Sequence, residues 1–137
     1  DVYKRQDLRG ALTGVFFTDA STSKPTFANH LKASNTATDI VGFVADDPYE
    51  RFEIQSNNAG ASAVTDVGKT ADLAYTAGSS PNYVSKVEFN DSGLNTTAQQ
   101  LKIMGFSKDP DNNDVASANV NLVVIIGEHE LKVSTGT

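Results

Sequence analysis

This sequence predicts a mainly β fold, a small antiparallel β-barrel or sandwich with at most one short helical turn. Three observations carry that expectation. Short runs rich in Val, Ile, Phe and Thr alternate with clusters of Gly, Pro, Asn, Asp and Ser. Some of these runs alternate apolar and polar residues, as a half-buried strand does. No stretch keeps a helical apolar period over three turns.

The elements follow in chain order. Asp1–Gly10 is polar and reads as a non-native or disordered tail, leaving 11–137 as a single β domain. Its first six residues, DVYKRQ, look like a translated sequencing adaptor at the end of a metagenomic read. Ala11–Thr18 is a strand centred on Val15, Phe16 and Phe17, and Thr26–Leu31 a short one. Asp39–Ala45 is a second strong strand, stopped by Asp46-Asp47-Pro48, because proline offers no ladder donor. In Glu50–Gln55, Phe52 and Ile54 point one way and Arg51, Glu53 and Gln55 the other. Ser56–Ala63 is small and reads as flexible. Thr65–Gly68 fits one helical turn, with Thr65 as N-cap and Gly68 as stop.

Ala71–Thr76 reads as a weak strand. Val84–Phe89 reads as a further strand, with Ser85, Val87 and Phe89 on one face. Gln100–Phe106 is another. Asn119–Gly127 is the most apolar, so it should be central, with Val120, Leu122, Val124 and Ile126 in the core. Val123 and Ile125 are apolar too, which predicts a covered second face. Gly14, Gly42 and Gly105 inside strands suggest bulges or tight bends.

Composition narrows the function classes. The chain has 137 residues, a formal net charge of −6 and no cysteine. Disulfides, thiolate chemistry and sulfur-ligated zinc are therefore excluded. The 11 Lys and Arg residues are scattered, which disfavours nucleic acid and anionic membranes as partners. The longest apolar run, Val120–Ile126, is too short for a membrane-spanning helix.

Candidate chemical motifs are weak. Asp109-Pro110-Asp111-Asn112-Asn113-Asp114 is the best calcium-loop candidate, but positions six and twelve hold Asp114 and Val120 where an EF-hand needs Gly and Glu. Asp and Asn there cap their own turns. His129 lies between Glu128 and Glu130, yet strand neighbours point to opposite faces, and His30 is remote in sequence. Asp91-Ser92-Gly93 matches a serine-protease segment only over three residues. Asp46 and Asp47 read as turn formers, and the Asn90 and Asn95 sequons matter only in a glycosylating pathway. Phe16, Phe17, Phe43, Phe52, Phe89 and Phe106 fall in strands and read as core or interface. No catalytic, cofactor-binding or metal residue is assigned.

Several segments resemble a family of tailed-phage structural proteins found in marine and other environmental phages. They are GVFFTDASTSKPTFANH (Gly14–His30), TATDIVGFVADDPYERFEIQ (Thr36–Gln55), DVGKTADL (Asp66–Leu73), QLKIMGFSKDPDNN (Gln100–Asn113) and EHELKVSTGT (Glu128–Thr137). The resemblance implies a non-enzymatic virion protein, located in the phage head and made in the host cytoplasm, that decorates or stabilises the capsid. It implies the major capsid protein or other virion proteins as partners and a homo-oligomer in the particle, with no cofactor, no nucleic acid and no membrane. Family members carry a further N-terminal β-rich segment, so the chain reads as an N-terminally truncated fragment. That reading predicts an open strand edge and exposed apolar surface beside Gly14–Thr18, with Phe16 or Phe17 partly uncovered. Two other classes stay open: a β-domain binding module, such as a tail adhesin or carbohydrate-binding domain, and a hydrolase built on a pair of carboxylates.

Overall fold

A computed structural model describes residues 7–57 and 63–132. Within them the chain is mainly β, as its alternating pattern predicts, with isolated 3-10 turns as the helical content. The strands form open antiparallel sheets, one of three strands, one of four and one of two, rather than a closed barrel.

The core belongs to the four-stranded sheet. Its strands are β4 (Arg51–Gln55), β9 (Asn121–Ile126), β8 (Leu101–Phe106) and β5 (Thr70–Ala71), in that order across the sheet. β9 is central, as its apolar content predicts. Val120, Leu122, Val124 and Ile126 are all buried, packed with Leu101, Ile103, Ala71 and Phe89. Register explains the fit: Leu122 stands opposite Ile54 on one side and Phe106 on the other. Directly opposed side chains share a face, so each pair adds to one apolar layer. The second face of β9 is only half covered, and Val123 and Ile125 are partly exposed.

The three-stranded sheet contains β1 (Ala11–Thr18), flanked by β2 (Pro25–Ala28) and β3 (Val41–Ala45). A register shift between Leu12 and Gly14 bulges β1, and a similar shift separates Ile103 from Gly105 in β8. Two of the three strand glycines therefore sit beside bulges; Gly42 pairs regularly with Val15.

Several expectations need correction. The strand expected over Val84–Phe89 shrinks to β7 (Glu88–Phe89), because its partner β6 (Leu73–Ala74) is only two residues long. The segment expected as Ala71–Thr76 is split. Ala71 pairs with Leu101 in one sheet, and Leu73 pairs with Phe89 in another. The buried Gln100 side chain bridges the break, its Oε1 accepting the Leu73 amide at 3.0 Å. The helical turn runs Val64–Asp66 with Ala63, not Thr65, at the N-cap. Asp66 reaches back to accept the Ala63 amide at 2.8 Å, while Gly68 (φ 94°) ends the turn.

Within the segment expected as a tail, 1–10, Leu8 and Arg9 make contacts with the rest of the chain. Leu8 donates its amide to Glu128 and accepts from Glu130, and its side chain packs on the core. Arg9 bridges Asp46 and Glu130 at 3.1 and 3.3 Å. The adaptor-like residues 1–6 lie outside the described residues, as do 58–62 of the stretch expected to be flexible. Ser56, from that stretch, is buried and donates to Asp91 at 2.9 Å.

Candidate interaction surface

The three-stranded sheet is the most unusual surface of the molecule. None of β1, β2 or β3 contains a charged residue. The chain nevertheless carries a net charge of −6, and its charged residues lie outside this sheet. One face is covered in part: Val15 and Phe17 are buried, with a groove of about 430 Å³ over Phe17 whose walls include His30, Lys32 and Asn35, while Leu12 and Val44 on the same face are exposed. The opposite face is open around its aromatic rings. Phe27 is 75% exposed, Val41 50% and Phe43 47%.

These exposed residues form one surface by register. Phe16 stands opposite Phe27 on one side and Val41 on the other, and Gly14 stands opposite Phe43. The rings of Phe16 and Phe27 lie 4.7 Å apart at 48°, and those of Phe27 and Phe43 lie 6.2 Å apart at 24°. Such spacings belong to favourable aromatic pairs. Phe16 is half-buried and Phe17 buried, so apolar exposure beside β1 comes mainly from its neighbours Phe27 and Phe43.

Hydrogen bonds give the direction of each edge. Asp19 donates its amide to Lys24 at 2.9 Å, continuing the β1–β2 ladder. Thr18 donates its amide to the Asp39 carboxylate at 3.0 Å, on the β3 side. Backbone groups alternate sides along a strand, so Val15 and Phe17 serve β2 while Gly14 and Phe16 serve β3. Across from them, Thr26 and Ala28 face β1 from β2, and Val41 and Phe43 face β1 from β3. Pro25 and Phe27 therefore point to the outer edge of β2, and Gly42 and Val44 to that of β3. Pro25 has no amide to offer, a common guard of an edge strand. β3 has no such guard.

Acidic residues frame β3 without entering it. Asp39 precedes it, and its carboxyl is held below the ordinary carboxylate range by the Thr18 hydroxyl and amide. Asp46 follows it, in the ion pair with Arg9, and Asp47 accepts the Tyr49 amide at 2.8 Å to form the next turn.

The residues weighed for chemistry lie elsewhere and are occupied locally. In the Asp109–Asp114 loop, Asp109 accepts the Asp111 amide at 3.0 Å and Asp114 accepts the Ala116 amide at 3.1 Å. Among the described residues no group of three or more His, Asp or Glu converges. His129 is buried. Its Nδ1 accepts the Leu131 amide at 3.0 Å, and its Nε2 has no hydrogen-bond partner among the described residues. Glu130 turns to Arg9 instead. His30 stacks on Tyr83 at 3.9 Å. Asp91 accepts from Ser56, while the Ser92 hydroxyl donates to Asn90 at 2.7 Å. The described grooves each contain at most one carboxylate, from Asp19, Glu53 or Glu88.

The sequence marks β1 to β3 as strands, and apolar surface beside Gly14–Thr18 was expected, but alternation alone does not say which face is open. Its available signal is the absence of charge across all three. Comparison with known proteins finds no matching family model, curated protein or solved structure.

Proposed function

We propose that this chain is a non-enzymatic structural protein of a tailed-phage particle, decorating or stabilising the head through protein–protein contacts. The observation that carries the reading is the charge-free β1–β3 sheet with its exposed Phe27–Phe43 face. Contiguous exposed apolar surface is a mark of interaction sites. The buried β9 core gives the chain a packed fold, and the acidic remainder keeps the free protein soluble. The phage assignment itself comes from the resemblance of Gly14–His30 and the later segments. The partners on this reading are the major capsid protein or other virion proteins, and the place is the virion. Repetition over a symmetric shell makes modest contacts effective by avidity.

The test is proteomic. Density-banded particles of a phage carrying this gene are expected to contain the chain at many copies per head. Phe27→Asp, which places a charge on the exposed face, is expected to lower that copy number without unfolding the chain. Expression during infection with no chain in the particles would overturn the proposal.

The exposed rings also favour a second reading, a binding module that stacks sugars on Phe27 and Phe43. Stacking on a glycan array, lost in Phe27→Ala, would support it against the first.

A further inference from the structure

We propose that the β1–β3 sheet and its loops form a hinged lobe, latched to the rest of the chain by the stack of His30 on Tyr83. The proposal concerns the sheet of the functional reading but not its role, so the two can fail separately.

Packing and hydrogen bonding set residues 11–45 apart. The apolar cluster around β9 and the partly buried side chains packed on it, from Leu8 to Ile126, include none of these residues. Val15 and Phe17 are buried outside that cluster, and the walls of the groove over Phe17 all come from residues 17–36. The side-chain hydrogen bonds of Thr13, Thr18, Asp19 and Asn35 all stay within the lobe. Among the described residues no hydrogen bond or ion pair joins 11–45 to 51–132. Two units without a large apolar interface move relative to one another by default.

The chain enters and leaves the lobe side by side. Ala11 pairs with Ala45 at the end of the β1–β3 ladder, and a Cβ on Gly10 would collide with the Ala45 carbonyl. Glycine is what allows the two segments of this neck to approach so closely. Leu8 anchors one segment to Glu128 and Glu130, and the Glu50 amide closes a turn on Asp47 just beyond the other. Rotation about Gly10 and Asp46 therefore breaks no rung of either sheet. Arg9 bridges Asp46 and Glu130 at the neck, but all three side chains are well exposed, and such pairs hold little.

Away from the neck, the lobe meets the rest of the chain through two rings. His30, just after β2, stacks on Tyr83 with centroids 3.9 Å apart and planes 7° from parallel. The Asn29 side chain, 2.7 Å from the His30 Nδ1, orients the imidazole. Tyr83 sits in the left-handed region at φ 51°, an unfavourable place for a bulky residue. Its amide donates to Ser79 at 2.7 Å, closing the turn that imposes this conformation and carries the ring to the lobe. Tyr83 is 42% exposed, so the stack can part without opening the β9 core. A ring pair of this kind shifts an equilibrium by about two- to tenfold, enough to hold a lobe and little enough to release it. Release turns the Phe27–Phe43 face as a unit relative to the four-stranded sheet.

The test exploits the absence of cysteine. Thr22→Cys in the lobe and Lys108→Cys outside it, both at exposed positions, carry nitroxide labels, and their separation is measured by double electron–electron resonance. The labelled chain is expected to give a single narrow distance distribution. His30→Ala is expected to lose that narrow peak to a broad distribution, with the circular dichroism spectrum unchanged. Tyr83→Phe keeps a ring to stack on and is expected to keep the narrow peak. An unchanged distribution in His30→Ala overturns the proposal, and so does broadening in Tyr83→Phe. A distribution already broad with His30 and Tyr83 in place also overturns it, because the stack then holds nothing.

Discussion

Truncating Leu122 to alanine tests the core of the four-stranded sheet. Leu122 is fully buried on the central strand, between Ile54 and Phe106 in directly opposed positions. The substitution removes about three carbon atoms, worth roughly 2.4 kcal/mol at about 0.8 kcal/mol per buried methylene. Residual cavity volume adds about 24 cal/mol per Å³, so an incompletely collapsed hole of about 50 Å³ contributes roughly 1 kcal/mol more. Neighbours on both flanking strands are fixed by backbone ladders, so little collapse is available. The expected loss is therefore about 3–4 kcal/mol, read by urea unfolding with an unchanged slope. The same loss lowers Tm by about 10–15 °C for a chain of this size. A loss below about 1 kcal/mol would show that β9 is not the packing centre, and would refute the reasoning.

The remaining predictions concern other parts of the molecule. Phe27→Ala removes a largely exposed ring that still pairs with Phe16 and Phe43, so a cost of about 1 kcal/mol is expected by urea unfolding. Gly127→Ala would place a Cβ 2.6 Å from the Gln99 carbonyl oxygen, a backbone atom that cannot swing aside. A loss of about 1–3 kcal/mol by the same assay is the expected outcome. Lys69 and the Ala63 amide hold the Asp66 carboxyl below its ordinary value of 3.8. A depressed folded-state value stabilises the fold above the unfolded value and is lost as pH falls through the folded one. Unfolding measured from pH 6 down to pH 2 should therefore show a loss of stability below about pH 4 that is smaller in Asp66→Asn.

Some of this fold is legible in the residues, and the exceptions have physical causes. β9 is readable because its apolar run exceeds what one half-buried face needs, and only a central strand uses the excess. β4 is readable from alternation of Phe52 and Ile54 with charged or polar neighbours. Val84–Phe89 alternates just as well, yet pairing requires a partner edge, and β6 is too short to supply one. The Leu8 contact with Glu128 and Glu130 spans most of the chain, so no local pattern encodes it. In β1, alternation places Phe16 and Phe17 on opposite faces but cannot say which face a later segment covers. Residues after β2 flank the groove over Phe17, and nothing comparable shields Phe27 among the described residues. The turn-capping roles of Asp109 and Asp114 were more legible, because they follow from residue type alone.

Hydrogen exchange of the amides of Gly42 and Val44 is the most direct test that the charge-free sheet offers an open edge for a partner. The geometry predicts fast exchange of both amides in the isolated protein, while Leu122 and Val124 stay protected. Strong protection of Gly42 and Val44, comparable to that of Leu122, would contradict an open edge.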